Sequence, residues 1–98
     1  MLFVVRLEDK PERVDVRTNF TAAHKEWLAK NDKVILQAGS LRHDPDGTPV
    51  GGLWIVQAES KAEIEALLKN DPFWINGLRK GVEIYHWITA FNQRQVVL

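Results

Sequence analysis

A chain of 98 residues has room for one hydrophobic core and not two, and folding at this size takes only roughly 60–70% of the unfolded surface out of water. Hydrophobic residues make up 45% and charged residues 27%, a globular balance that excludes an intrinsically disordered chain. Thirteen basic residues cancel thirteen acidic ones, so no net field draws the chain to nucleic acid or to an anionic membrane.

The first predicted element is a strand, Leu2-Phe3-Val4-Val5-Arg6-Leu7, apolar, β-branched and closed by Glu8-Asp9-Lys10-Pro11. Pro11 to Asp15 is too polar and broken to assign. From Val16 to Ala29 the period becomes helical: Phe20, Ala23, His24, Trp27 and Leu28 recur at threes and fours and share one face. Lys25, Glu26 and Lys30 lie elsewhere on the wheel, as a solvated face should. Val34 to Gly39 is a second strand running on toward Leu41, and the turn formers of 42–49 make a loop. Gly51-Gly52 opens a third strand, Leu53 to Ala58.

Ser60-Lys61-Ala62-Glu63 matches a capping box ahead of a helix whose buried stripe is Ile64, Leu67 and Leu68. Asp71-Pro72 marks another helix start, with Asp71 as N-cap and Pro72 at the first helical position. Gly77 is placed to stop that short helix in the left-handed conformation. A fourth strand, Val82 to Ile88, continues toward Phe91. Its alternation separates Val82, Ile84, His86 and Ile88 from Glu83, Tyr85 and Trp87. An apolar tail, Asn92 to Leu98, closes the chain.

The order β-α-β-β-α-β, with an extra short helix before the last strand, predicts an α+β, ferredoxin-like domain spanning 1–98 with its helices on one sheet face. The other face is left bare, with Trp54, Tyr85 and Trp87 among the bulky residues available to it. A second copy is the expected cover, giving a homodimer of two sheets packed face to face. The chain has no cysteine, which removes disulfides, thiolate nucleophiles and cysteine-ligated metals, and fits a cytoplasmic setting. No apolar run approaches a membrane span, and Met1 to Arg6 lacks the basic region that precedes the apolar run of a leader.

Three histidines are the side chains that titrate near neutrality. His24 lies on the core-facing stripe, and two readings fit: a hydrogen-bonded core histidine, or a general acid/base at the mouth of a pocket. Asp71 is explained by capping alone, yet a capping carboxylate can also hold an imidazole ring in one tautomer. His43 reads as a solvated loop residue, and His86 faces either core or helix. No closely spaced pair of histidines points to a metal. Gly51-Gly52 is not a phosphate loop, and Ser40 sits in no nucleophile elbow. RNA-recognition domains share this strand order but need basic and aromatic residues on the third strand, which here carries one aromatic and no cation.

Arg17 seven residues before His24, then Trp27-Leu28, Gly39-Ser40-Leu41, Asp46-Gly47, Gly51-Gly52 and Asn70-Asp71-Pro72-Phe73 to Gly77-Leu78, taken in order, resemble the YciI-like family of the dimeric α/β-barrel superfamily. The resemblance covers nearly the whole chain. It implies a ferredoxin-like protomer whose sheet packs on its mate's, and a pocket between sheet and helices with a histidine and an aspartate as catalytic pair. Those fall on His24 and Asp71. Dehydrochlorination of a chlorinated hydroquinone, which needs proton transfer and no cofactor, is one activity the family implies.

The expected function is cofactor-independent proton-transfer chemistry, such as elimination or isomerisation, on a small cyclic or aromatic molecule. His24 is the expected acid/base, Asp71 its orienting partner, Arg17 and Ser40 the contacts to substrate oxygen, and Trp27, Phe73 and Trp74 the pocket walls. One alternative is a non-catalytic dimeric module that binds a small ligand or serves an enzyme as an accessory; another is a monooxygenase-like relative within the same superfamily, using the same pocket and dioxygen.

Overall fold

The structure is a computed structural model that describes residues 1–91; the tail expected from Asn92 to Leu98 lies outside the described residues. Four strands, β1 (Leu2–Asp9), β2 (Ile35–Leu41), β3 (Gly51–Gln57) and β4 (Arg79–His86), form one antiparallel sheet in the order β2-β3-β1-β4. Three helices, α1 (Val14–Lys30), α2 (Lys61–Leu68) and α3 (Pro72–Ile75), supply the second layer. This is the expected α+β, ferredoxin-like arrangement. A 3₁₀ turn over Pro11–Arg13 fills the stretch too broken to assign, and α1 starts directly after it.

The core lies where the β1 and β3 alternations meet the helices. Phe3, Val5, Leu7, Trp54 and Val56 point to the same side and pack with Ile64 and Leu68 of α2. Trp54 is therefore not on the bare face where the sequence placed it. It pairs with Val5 and Ala38, shares their side of the sheet, and is 1% exposed. Leu53 and Ile55 take the open face instead, beside Tyr85 and Trp87. On α1 the buried face is Val16 and His24, with Phe20, Trp27 and Leu28 half-buried, while Ala23 is exposed.

Helix starts follow local chemistry. The Ser60 hydroxyl accepts from the Glu63 N–H at 3.2 Å, and the Glu63 carboxylate accepts from the Glu59 N–H at 3.0 Å, one residue earlier than a capping box requires. Asp71 caps α3 by accepting from the Phe73 N–H at 3.1 Å. Gly77, at φ +77°, follows the helix in the left-handed region that a side chain disfavours, and its turn carries the chain into Leu78 and β4. The fourth strand begins three residues before the expected Val82 and stops at His86. Between Glu8 and Asp9 its register against β1 shifts by one residue, so that Glu8 faces Gly81 and Asp9 faces Arg79.

Candidate active site

Helices α1 and α3 meet the sheet at a second, smaller cluster, Val16, Phe73 and Leu78 with Phe20 beside them. Around it sit all four buried polar or charged residues among those described: Asp9, His24, Asp71 and Arg79. Burial of so many ionisable groups is tolerated only when they are paired. His24 Nδ1 and Asp71 Oδ1 are 2.6 Å apart, and Asp71 is 0% exposed. The same carboxylate oxygen caps α3, so it is fixed from two sides. An ionised Asp71 can only accept, which makes Nδ1 the donor and leaves Nε2 of a neutral ring as acceptor. The ring stacks on Phe73, with centroids 4.0 Å apart and 17° between planes, and it borders a cleft of about 500 Å³.

The second pair is built on Asp9. Its Oδ2 accepts from Arg17 Nε at 2.8 Å and its Oδ1 from Arg79 Nη1 at 2.6 Å. Arg17 also donates to the Gly51 carbonyl at 2.9 Å. Both guanidiniums lie over the Phe73 ring, at 5.2 and 5.3 Å from its centroid. Gly52 lies against the Arg79 guanidinium: a Cβ there would stand 3.4 Å from Arg79 Nη2 and 3.3 Å from the Gly39 carbonyl. Burial pushes the Arg79 guanidinium below its usual value, against the pull of Asp9, while Arg17 adds to the lowering. Arg79 Nε and Asp71 Oδ2 are each buried without a hydrogen-bond partner.

Of the residues expected from sequence, His24, Arg17, Ser40 and Phe73 border this cleft. Ser40 is exposed at its rim and accepts from Arg42 Nε at 3.1 Å. Asp71 stands behind His24. Trp27 is near the imidazole, 6.4 Å between centroids, but packs with Trp54 and the main core, and Trp74 packs on that core as well; neither borders the cleft. His43 instead borders a neighbouring cavity of about 540 Å³ that shares Val14, Arg17 and Pro49 with the cleft. His86 meets Phe3 in a tilted ring contact, 4.5 Å between centroids and 43° between planes. Among the described residues no three His, Asp or Glu side chains converge as metal ligands would, and no helix is long and apolar enough to cross a membrane.

The sequence reading missed Asp9 and Arg79. Asp9 continues the Phe3, Val5, Leu7 alternation, and that signal was available. Arg79 had none, because the register shift opposite Glu8 and Asp9 reverses its parity relative to Val82 and Ile84.

Among solved structures, the chain is similar to 5-chloro-2-hydroxyhydroquinone dehydrochlorinase from Burkholderia phenoliruptrix, determined in complex with 2,5-dihydroxybenzoquinone: 29% identity over 90% of this chain and 94% of that one, with a TM-score of 0.81. Its fold is shared by a protein assigned as an antibiotic biosynthesis monooxygenase from Bacteroides thetaiotaomicron, at 14% identity, 99% and 95% coverage and a TM-score of 0.58. NE2512 of Nitrosomonas europaea, of unknown function, has it too, at 20% identity, 96% and 94% coverage and a TM-score of 0.54. No curated protein matches the chain. The model of the YCII-related domain matches residues 1–88, nearly the whole of the described chain, and the protein belongs to that family.

Proposed function

We propose that this chain is an enzyme that moves a proton on a small cyclic or aromatic molecule, with His24 as acid/base and Asp71 as its orienting partner. One observation carries the reading: a 2.6 Å bond donated by the inner nitrogen of an imidazole that borders a cleft to a fully buried carboxylate. In that tautomer Nε2 has no protein partner among the described residues and is free to take a proton. Arg17 and Ser40 border the same cleft and serve as contacts to substrate oxygen, and Phe73 walls it.

Similarity to a dehydrochlorinase supports elimination of HCl from a hydroxylated ring as the reaction class. Such a step balances without an oxidant. A proton first moves from a ring hydroxyl onto the chlorine-bearing carbon, giving the keto tautomer. A second hydroxyl proton then passes to the base, its electron pair forms the new C=O bond, the adjacent ring π bond shifts, and chloride departs with the electrons of the C–Cl bond.

The test is turnover of a chlorinated hydroxyhydroquinone by two variants. His24→Gln stays folded and loses about 10²–10⁴-fold in rate, the usual contribution of a positioned proton-transfer group. Asp71→Asn keeps an N-cap but lacks the charge that complements a protonated ring, so its rate falls while its melting temperature drops less than that of Asp71→Ala. Unchanged turnover in both variants removes the pair from the reaction, and binding without turnover by the unaltered chain leaves the ligand-binding module.

The chain is also proposed to dimerise through the open sheet face. Leu53, Tyr85 and Trp87 are 36%, 50% and 40% exposed there, and Val4 and Ile55 between them are half-buried. Covering a few such side chains is worth roughly 1.5–3 kcal/mol each. Sedimentation at micromolar concentration should give twice the chain mass; monomer alone would refute the pairing.

A further inference from the structure

The chain is neutral in sum but not in distribution. Among the described residues, the cleft beside His24 is bordered by four cations, Arg17, Lys25, Arg42 and Arg79, and by no carboxylate. Two carboxylates stand behind that lining. Asp9 is shared between Arg17 and Arg79, and Asp71 is bonded to His24. Four cations against two carboxylates leave an excess of two positive charges around one concave site. Neither Lys25 nor Arg42 has an ion-pair partner among the described residues; Arg42 is held by neutral oxygens, Ser40 Oγ at 3.1 Å and the Gly47 carbonyl at 2.9 Å.

The charge at the floor is fixed in place. The Arg79 side chain is 2% exposed and that of Arg17 15% exposed, and the Phe73 ring lies within 5.3 Å of both guanidiniums. Arg79 Nε is a buried donor with no acceptor. Asp71 Oδ2, also unbonded, attracts that guanidinium without reaching it. Trp54, Leu28 and Phe73 supply flat or apolar lining between the cations.

We infer that the cleft selects a planar ring molecule that arrives already ionised, an organic anion, with Arg17 and Arg79 as the charge held at the floor and Lys25 and Arg42 as the charge at the rim. Asp9 is then a positioning residue: one carboxylate holds two guanidiniums side by side without neutralising both. This assignment names the substrate class for the site proposed above and rests on that reading only for the site's being the place of reaction. A charged acceptor is worth more to a buried donor than a neutral one, and clefts lined by one sign of charge raise the local concentration of the opposite ion.

Calorimetric titration tests it with no turnover required. The probe is 2,5-dihydroxybenzoquinone, a vinylogous carboxylic acid ionised at neutral pH, set against its neutral dimethoxy counterpart. The anion should bind at least about tenfold tighter, and its affinity alone should fall as salt is raised. The double variant Lys25→Gln/Arg42→Gln changes only exposed side chains and should reduce the preference. His24→Gln should keep it, so a failed proton-transfer reading and a failed anion reading give different results. Equal affinity for the two quinones, salt-independent binding of the anion, or no binding of the anion at millimolar concentration overturns the inference.

Discussion

The two side-chain N-caps among the described residues begin from the same local rule and end in different roles. Ser60 and Asp71 each have extended backbone and each accept from an N–H of the first helical turn. Ser60 is exposed, and its hydroxyl does nothing beyond starting α2. Asp71 is 0% exposed, and the oxygen that caps α3 also takes the imidazole of a residue 47 positions earlier. A helix of four residues has too little of its own to fix a side chain, and burial against α1 does the rest. A capping residue is thus a cheap place to hold a charged group inside a protein, because one of its hydrogen bonds is already provided by backbone.

Alanine at each cap separates the two roles. Asp71→Ala should lose about 1 kcal/mol for the cap and a further roughly 1.5–3 kcal/mol for a hydrogen bond to a charged group. Relief of the unbonded Asp71 Oδ2 offsets part of this and puts the total toward the lower end. Urea denaturation measures it, and a loss near that of an ordinary cap would mean that the bond to His24 adds nothing to the fold. Ser60→Ala should cost about 1 kcal/mol with no change in ligand binding. A matched change in binding there would erase the contrast, since Ser60 borders neither cavity.

The fold was largely legible because its signals are local. Alternation in β1 and β3, the three-and-four spacing of α1, and the caps at Ser60 and Asp71 are each written within a few neighbouring residues. The errors came where a side chain's environment depends on a partner strand or helix. Trp54 was expected on the open face, but the phase of a strand is decided by which of its two sides meets the helices, and here that side carries Trp54 with Val56. Ala23 shared the predicted helical stripe and still faces solvent, because α1 packs through Val16 and His24 on Phe73 and Asp71, and through Trp27 and Leu28 on the main core, and does not bury a wider arc.

The site divides along the same line. Sequence alone determined that His24 lies on a core-facing helical stripe and that Asp71 caps a short helix, since each follows from spacing along one element. Only the tertiary structure decided that His24 and Asp71 are 2.6 Å apart, that Asp9 and Arg79 join them, and that a neutral chain sets four cations and no carboxylate on the lining of one cleft. Distances between elements depend on how sheet and helices pack, and the reversed parity of Arg79 comes from a single extra residue in the pairing of β4 with β1. No pattern confined to one strand encodes that shift, because it is a property of the pair.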